Sequence, residues 1–123
     1  MKNLDDIRIL KTANDIGNEI WDIVSIWDYF LKDTIGKQMT RSVDSIGANI
    51  AEGFGRFHYK ENRRFCYFSR GSLLETIVWL GKCKDRNIIP EDQASRLIKS
   101  LYDLNHKLNL YIYAIGKNQT DKY

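Results

Sequence analysis

Two glutamates are the first candidates for chemistry, because each interrupts a stretch of small or apolar side chains. Glu52 ends the stretch 46–51, and Glu75 follows the stretch 71–74. Paired carboxylates on facing helices can act as general acid and base or hold a divalent metal, and helical di-metal proteins do so with a Glu-x-x-His pattern. Neither glutamate is followed by histidine three residues later. We therefore favour a structural role, in which each carboxylate pairs with an arginine or accepts backbone N–H groups at an interface.

The histidines and cysteines are isolated from one another along the chain. His58 and His106 have no cysteine or carboxylate at ligand spacing on the same predicted face, which favours solvated or structurally hydrogen-bonded imidazoles. Cys66 and Cys83 lie in apolar helical context without a Cys-x-x-Cys spacing, so we expect reduced packing residues. The sequence therefore predicts no catalytic residue, no metal site, no cofactor and no enzymatic activity.

Basic residues give the clearest candidate for a binding site. The whole chain has a net charge of only +3, but residues 54–86 carry eight basic and three acidic side chains. Cations beside Phe57, His58 and Tyr59 can hold phosphates while the rings stack on exposed bases. The alternative is that these cations form the solvated faces of a helix. The candidate nucleic-acid-binding residues are Arg56, Lys60, Arg63, Arg64, Arg70, Lys82, Lys84 and Arg86.

Four helices are predicted to position these residues, because apolar side chains recur near a helical repeat and no segment alternates like a strand. Asp33 or Thr34 is the expected N-cap of the second helix, while Asn87 closes the third and Pro90 opens the fourth. The short connections predict a single all-α domain, an antiparallel up-and-down four-helix bundle. The predicted helices and a polar tail expected to fray span about residues 4–32, 35–53, 59–86, 90–116 and 117–123.

The segment Gly53-Phe54-Gly55 separates the second and third predicted helices. Glycine supplies the backbone freedom that a helix end and a corner require. A phosphate-binding loop is the alternative, but a Gly-x-Gly without a preceding strand is nonspecific. We interpret the segment as a helix C-cap and corner.

The third predicted helix is apolar on nearly all sides, so it must be covered on nearly all sides. Four helices in one small bundle do not easily enclose one member completely. The sequence therefore predicts a subunit interface and a homo-oligomer. The residues on which this prediction depends are Tyr67, Leu73, Leu74, Ile77, Val78 and Leu80.

Length and hydropathy narrow the class of protein further. A chain of 123 residues can bury enough apolar surface to fold without metal or disulfide bonds. Acidic residues interleave with the apolar positions of the first 30 residues, which does not fit a signal peptide. No run approaches the roughly 20 apolar residues of a membrane span. We expect a cytoplasmic protein without a membrane partner.

Two stretches carry a resemblance to a known family. GKQMTRSVDSIGANIAEGFGR at 36–56 and FCYFSRGSLLETIVWL at 65–80 combine a Ser-Ile…Asn-Ile-Ala-Glu-Gly…Gly-Arg run with a following Gly-Ser-x-x-Glu. This combination resembles the signature of small bacterial four-helix bundle proteins, whose first described members are encoded in intervening sequences of large-subunit ribosomal RNA genes. A looser resemblance extends from about residue 5 to 116. The structural motif comprises Ser45, Asn49, Glu52, Gly53, Gly55, Arg56, Gly71, Ser72 and Glu75.

The resemblance implies an up-and-down bundle that assembles into a homopentameric ring with no known catalytic activity. The related accessory variability determinant proteins of diversity-generating retroelements share this architecture, and their basic ring binds nucleic acid and a reverse transcriptase. This chain lacks the heavier basic character of that subgroup. The leading prediction is therefore a non-enzymatic oligomeric scaffold that binds RNA or DNA. The alternative is a protein-interaction adaptor, such as an accessory subunit for the reverse transcriptase of a retroelement.

The family motif also predicts a polar contact across the junction of the second and third helices. Ser45, Asn49 and Glu52 are expected to face a close neighbour. A buried unpaired Glu75 would be costly, so if it is buried we expect Arg56 or Arg70 beside it.

Overall fold

The computed structural model of the chain describes the backbone of residues 3–117 and the side chains of residues 3–115. Over this range the chain is all-helical, with four long helices and no strand. The predicted frayed tail, 117–123, lies outside the described residues except for the end of the last helix. The helices are α1 (Arg8–Ser25), the single-turn α2 (Tyr29–Leu31), α3 (Lys37–Phe54), α4 (Tyr59–Asp85) and α5 (Glu91–Lys117).

The core lies between the inward faces of the four long helices. α3 packs most extensively against α4 and also against α1, while α5 packs against α4 and α1. Ile20 of α1, Ile46 of α3, Leu73 of α4 and Leu104 of α5 are completely buried. Burying one such side chain stabilises the fold by about 1.5–3 kcal/mol relative to leaving it exposed. The packing of these side chains in the core is therefore the main source of stability. No helix in the described part of the chain is both long and apolar enough to cross a membrane.

The end of the first helix differs from the sequence prediction. The apolar repeat predicts a helix reaching residue 32, whereas α1 ends at Ser25. Ile26 and Trp27 continue the apolar pattern across the turn, and neither glycine nor proline marks it. The periodicity therefore does not reveal the break.

The residue that caps the next helical segment also differs from the prediction. The Asp28 carboxylate accepts the backbone N–H of Leu31 at 3.0 Å, which is the role expected for Asp33 or Thr34. Those two residues lie instead in a π-helical turn, Lys32–Gly36, that joins α2 to α3.

The two ends of α4 follow from local sequence signals. α4 starts at Tyr59 after the Gly-Phe-Gly corner, and it ends at Asp85. Asn87 has a φ of 58°, and the N–H of Ile88 donates to the Cys83 carbonyl at 2.8 Å, so a left-handed residue ends the helix. The N–H of Ala94 then donates to the Pro90 carbonyl at 2.9 Å as α5 begins.

Small residues allow α3 and α4 to approach closely. The hydroxyls of Ser42 and Thr76 lie 2.8 Å apart in the core, and the Ser69 hydroxyl donates to the Ile46 carbonyl at 2.8 Å. At Gly53 an added Cβ would lie only 2.9 Å from the backbone oxygen of Asn62. This contact fixes the start of α4 against the end of α3, and with it the position of the basic residues around the corner.

Candidate nucleic-acid interface

The structure separates the predicted cations into two groups. α4 has 27 residues and is therefore about 40 Å long. The α4 N-terminal cluster consists of Arg56, Lys60, Arg63 and Arg64, and the α4 C-terminal cluster consists of Lys82, Lys84 and Arg86. Arg70 lies on the helix between them. The eight predicted residues therefore do not form one continuous patch.

Three of the predicted arginines lie over aromatic rings. The guanidinium carbon of Arg64 is 5.6 Å from the ring centroid of Phe68, and that of Arg70 is 5.0 Å from the centroid of Tyr67. Each cation–π contact at an exposed site is worth about 0.5–1 kcal/mol. These contacts hold the guanidinium groups near aromatic surfaces before any ligand arrives.

The third arginine connects the corner to α4. The guanidinium carbon of Arg56 is 4.7 Å from the ring centroid of Phe65, and its Nη2 is 3.5 Å from Oε2 of Glu52. The side chains of Arg56 and Glu52 are 40% and 56% exposed, so solvent screens this ion pair. Arg56 thus contacts both a carboxylate of α3 and a ring of α4.

Aromatic rings at this end of α4 are open to solvent. Phe57, Tyr67 and Phe68 are each close to half exposed. Phe68 also stands edge-to-face with Phe65, with ring centroids 5.6 Å apart. Exposed rings beside flexible cations are the combination with which proteins bind single-stranded nucleic acids, because bases stack on the rings and phosphates contact the cations.

The C-terminal cluster has a different environment. Lys82 and Lys84 lie in the last turn of α4, where a cation stabilises the negative end of the helix dipole. Arg86 lines a groove together with Phe30 and Ile88. Within residues 3–115 no cation of this cluster lies over an aromatic ring. This group therefore fits a structural role better than the N-terminal cluster does.

The expected contact between Glu75 and an arginine is not formed. Glu75 is exposed, and its Oε2 accepts the indole N–H of Trp79 at 3.0 Å. Arg56 contacts Glu52, and Nη1 of Arg70 donates to Oδ1 of Asn109 at 2.8 Å. The prediction depended on burial of Glu75, and the side chain is exposed on the outer side of α4 instead.

The polar residues of the family motif hydrogen-bond within their own helix. The Ser45 hydroxyl donates to the Arg41 carbonyl at 2.8 Å, and Nδ2 of Asn49 donates to the Ser45 carbonyl at 2.8 Å. The Ser72 carbonyl likewise accepts the Thr76 hydroxyl at 2.8 Å. Glu52 is exposed, and its carboxylate contacts Arg56 at the corner rather than a side chain of α4.

The glycines of the motif have different surroundings. Gly53 is buried at the contact between α3 and α4, and Gly55 is the C-cap of α3. Gly71 is exposed on α4, and an added Cβ would meet nothing within 4 Å. Contacts within one chain therefore explain Gly53 but not Gly71.

The reactive side chains considered first are not gathered into a metal-binding cluster in the described part of the chain. No group of three or more His, Cys, Asp or Glu side chains within it is placed to hold a metal ion. Burial raises the pKa of the Cys66 thiol to about 12 and that of the Cys83 thiol to about 11. Both thiols are therefore protonated at neutral pH and are poor nucleophiles.

Sequence reasoning missed an exposed apolar corner between α1 and α3. Ile26, Tyr29 and Phe30 are 85%, 78% and 71% exposed, which makes this corner the most prominent apolar surface of the described residues. The available signal was a pair of aromatic residues directly after a capping aspartate. Because the apolar repeat predicts a first helix that continues to residue 32, it places these residues inside a helix.

These observations define an all-helical protein whose candidate site is a basic, aromatic surface at one end of a long helix. The family model described as 23S rRNA-intervening sequence protein matches residues 5–110, and the chain belongs to this family. The expected family resemblance is thereby confirmed.

A solved structure gives an independent comparison. A protein of unknown function from the S23 ribosomal protein family of Bacteroides thetaiotaomicron is similar, with 21% sequence identity and a TM-score of 0.76. The match covers 85% of this chain and 97% of that chain, and at this identity it shows a shared fold. A comparison with curated protein sequences finds no match.

Proposed function

We propose that this protein is a non-enzymatic, cytoplasmic scaffold that binds RNA or DNA through the α4 N-terminal cluster. The observation that carries the proposal is the pairing of Arg64 with the half-exposed ring of Phe68, with 5.6 Å between guanidinium carbon and ring centroid. Lys60 lies one helical turn before Arg64, so both cations project from the same side of α4. Phosphates contact these cations while a base stacks on the ring.

The proposed energetics combine two terms. Phosphate contacts release condensed counterions, so the logarithm of affinity falls with the logarithm of salt by about 0.7 for each phosphate of a single strand. Stacking of one base on an aromatic side chain contributes about 1–3 kcal/mol. Neither term reads sequence strongly, which suits a scaffold that holds nucleic acid without a fixed recognition site.

We further propose that the chain is an antiparallel up-and-down bundle that assembles into a homo-oligomeric ring and so repeats the basic surface. Leu73 and Leu80 are covered by the chain itself, but Tyr67, Leu74 and Val78 remain 48%, 44% and 56% exposed on α4. Exposed apolar residues in a contiguous strip favour association. The family resemblance supports a ring of five subunits.

The assembly is tested by light scattering at micromolar concentration. Leu74→Glu with Val78→Glu places two carboxylates on the outer strip and should give monomers with unchanged helical circular dichroism. Leu110→Glu is the control, because Leu110 is 56% exposed on α5 and outside the strip. A folded monomer in the unmodified protein would contradict the ring.

Nucleic-acid binding is tested by exchanging charge at either end of α4. Arg63→Glu with Arg64→Glu should weaken binding of a labelled single-stranded oligonucleotide by at least about tenfold while leaving assembly intact. Lys82→Glu with Lys84→Glu makes the same change in net charge and should weaken binding less than about threefold. Fluorescence anisotropy at low salt measures both, with a duplex of the same sequence in parallel.

Three results decide this experiment. Absence of binding to single-stranded and duplex nucleic acid at low salt would overturn the proposal. Equal losses for the two double variants would move the site away from the N-terminal cluster. The salt dependence should also become shallower by about 1.4 for the Arg63 and Arg64 variant, corresponding to two lost phosphate contacts.

A second candidate function is a protein-interaction adaptor, for which the exposed corner is the favouring observation. Ile26, Tyr29 and Phe30 form an apolar surface that a partner such as a reverse transcriptase could cover. Replacing all three by serine should abolish capture of a protein partner whose association with the chain persists after nuclease treatment. Retention of that partner by the triple variant would contradict the adaptor role of the corner.

A further inference from the structure

An apolar cavity lies between the end of α1 and the start of α3, away from the α4 N-terminal cluster. Its volume is about 480 Å³, within the range of small-molecule sites. α1 contributes Trp21, Val24 and Ser25, which are three and four residues apart and therefore share one helix face. Trp21 is 59% exposed, so its indole forms an accessible wall.

The opposite wall is formed by the π-helical turn and the first turns of α3. Lys32 and Gly36 come from the π-helical turn, and Lys37, Thr40 and Arg41 follow on α3. An added Cβ at Gly36 would lie 2.8 Å from Cγ1 of Val24, so the two walls meet closely at the floor. π-helical turns inside helices occur frequently at functional sites.

The charged side chains that line this cavity have one sign. Three lining residues are cations and none is acidic. Lys37 has an ion pair with Asp33 at 3.9 Å, but both side chains are more than half exposed, which makes the pair weak. Lys32 and Arg41 make no ion pair with any residue in the described range. A cationic rim above an apolar floor concentrates anions that also have an apolar body.

We propose that this cavity binds apolar organic anions, namely alkyl or aromatic carboxylates and sulfonates. The apolar body lies against Trp21 and Val24, and the anionic group lies between Lys37 and Arg41, which are one helical turn apart. Ser25 ends α1, where the backbone carbonyls carry partial negative charge, so the anion is held on the α3 side. The site is independent of the proposed nucleic-acid surface.

Two probes of matched shape separate charge from apolar contact. Anilinonaphthalene sulfonate carries the anionic group, and phenyl-naphthylamine is its uncharged counterpart. The sulfonate should bind the full chain at least about tenfold more tightly than the amine, which corresponds to about 1.4 kcal/mol for the charged contacts. Dodecanoate should displace the sulfonate, because it presents the same combination of carboxylate and apolar body.

The tryptophans locate the binding site directly. The chain has 3 tryptophans, and each gives one indole N–H signal in a heteronuclear NMR spectrum. The signal of Trp21, assigned from Trp21→Phe, should shift on saturation with the sulfonate or dodecanoate. An unshifted Trp21 signal at saturation of both probes would overturn the proposal.

Charge reversal at the rim tests the anion contacts. Lys37→Glu with Arg41→Glu should weaken sulfonate binding at least about tenfold and change amine binding less than about twofold. Lys60→Glu with Arg64→Glu is the control at the other site, with the same change in net charge and no expected effect on either probe. Equal sulfonate affinity of the variant at Lys37 and Arg41 and of the unmodified protein would overturn the proposal. Equal affinity of the two probes for the unmodified protein would do the same.

Discussion

The inner and outer faces of α4 are both apolar, but the chain covers only the inner one. Leu73 is completely buried, whereas Leu74, the next residue, is 44% exposed. The outer face also presents Val78, and it contains Gly71, where an added Cβ would meet no atom within 4 Å. Hydrophobicity in a sequence therefore does not distinguish residues that stabilise the fold from residues that favour association.

The adjacent leucines give the largest expected difference between the faces. Leu73→Ala leaves a cavity in the core and should lower the free energy of unfolding by about 2–5 kcal/mol. Leu74→Ala should change it by less than about 0.5 kcal/mol at protein concentrations below those of assembly. Urea unfolding measures both. Similar losses for the two variants under those conditions would remove the distinction between the faces.

The buried hydroxyl pair sharpens the description of the inner face. Thr76→Val removes the partner that lies 2.8 Å from the Ser42 hydroxyl and should cost about 1–2 kcal/mol. Adding Ser42→Ala should then cost less than it does in the unmodified protein, because the Ser42 hydroxyl keeps only its hydrogen bond to the Met39 carbonyl once Thr76 is replaced. A double-mutant cycle measured by urea unfolding gives the coupling. A coupling of zero would show that the two hydroxyls do not depend on each other.

Gly71→Ala tests whether the outer face is open or covered by another subunit. In an isolated chain, alanine in place of glycine within a helix should increase stability by about 0.5–1 kcal/mol. If a second subunit packs on this face, the same change should weaken the proposed assembly. Unfolding of dilute protein and light scattering of concentrated protein separate the effects. Stabilisation with unchanged assembly would place the subunit contact elsewhere.

The smallest expected effect concerns a partly exposed ion pair between two helices. Nη1 of Arg96 donates to Oε1 of Glu19 at 3.2 Å and joins α5 to α1. The hydrogen bond from Arg96 lowers the pKa of Glu19 below its ordinary value of 4.5, against the opposing effect of burial. The stabilisation is therefore fully present above that ordinary value and is lost as pH falls through the lowered pKa.

Glu19→Gln should reduce stability by less than about 1 kcal/mol at neutral pH, because the pair is partly exposed, and Arg96→Gln should change stability in the same direction. Thermal unfolding between neutral and strongly acidic pH measures this. The difference between each variant and the unmodified protein should shrink as Glu19 becomes protonated. A difference that is independent of pH would attribute the effect to packing instead.

The sequence predicts those parts of the fold that have local chemical signals. Gly53-Phe54-Gly55 and Asn87 indicate the two limits of α4, because glycine and asparagine tolerate helix-ending geometry. The turn after Ser25 has no such signal, and its cap, Asp28, is one of many aspartates in an amphipathic pattern. The periodicity of the apolar residues alone therefore does not reveal that boundary.

Some contacts of the candidate site can likewise be predicted from the sequence, and others cannot. Arg64 and Phe68 are four residues apart, so their contact follows from helical spacing. The contact between Arg56 and Phe65 crosses a corner, and its formation depends on how α3 meets α4. The exposure of Glu75 depends on the rotation of α4 about its axis, which a helix apolar on nearly all sides does not specify.

The π-helical turn at Lys32–Gly36 lies between the exposed aromatic pair of the corner and the start of α3. Such a turn accommodates an additional residue, so loss of one residue there would restore regular α-helical geometry. Each residue of an α-helix rotates the chain by about 100°, and Tyr29 and Phe30 would be redirected by that angle while the α3 core kept its register. A single residue gained or lost in this turn would therefore point the same aromatic pair in a different direction.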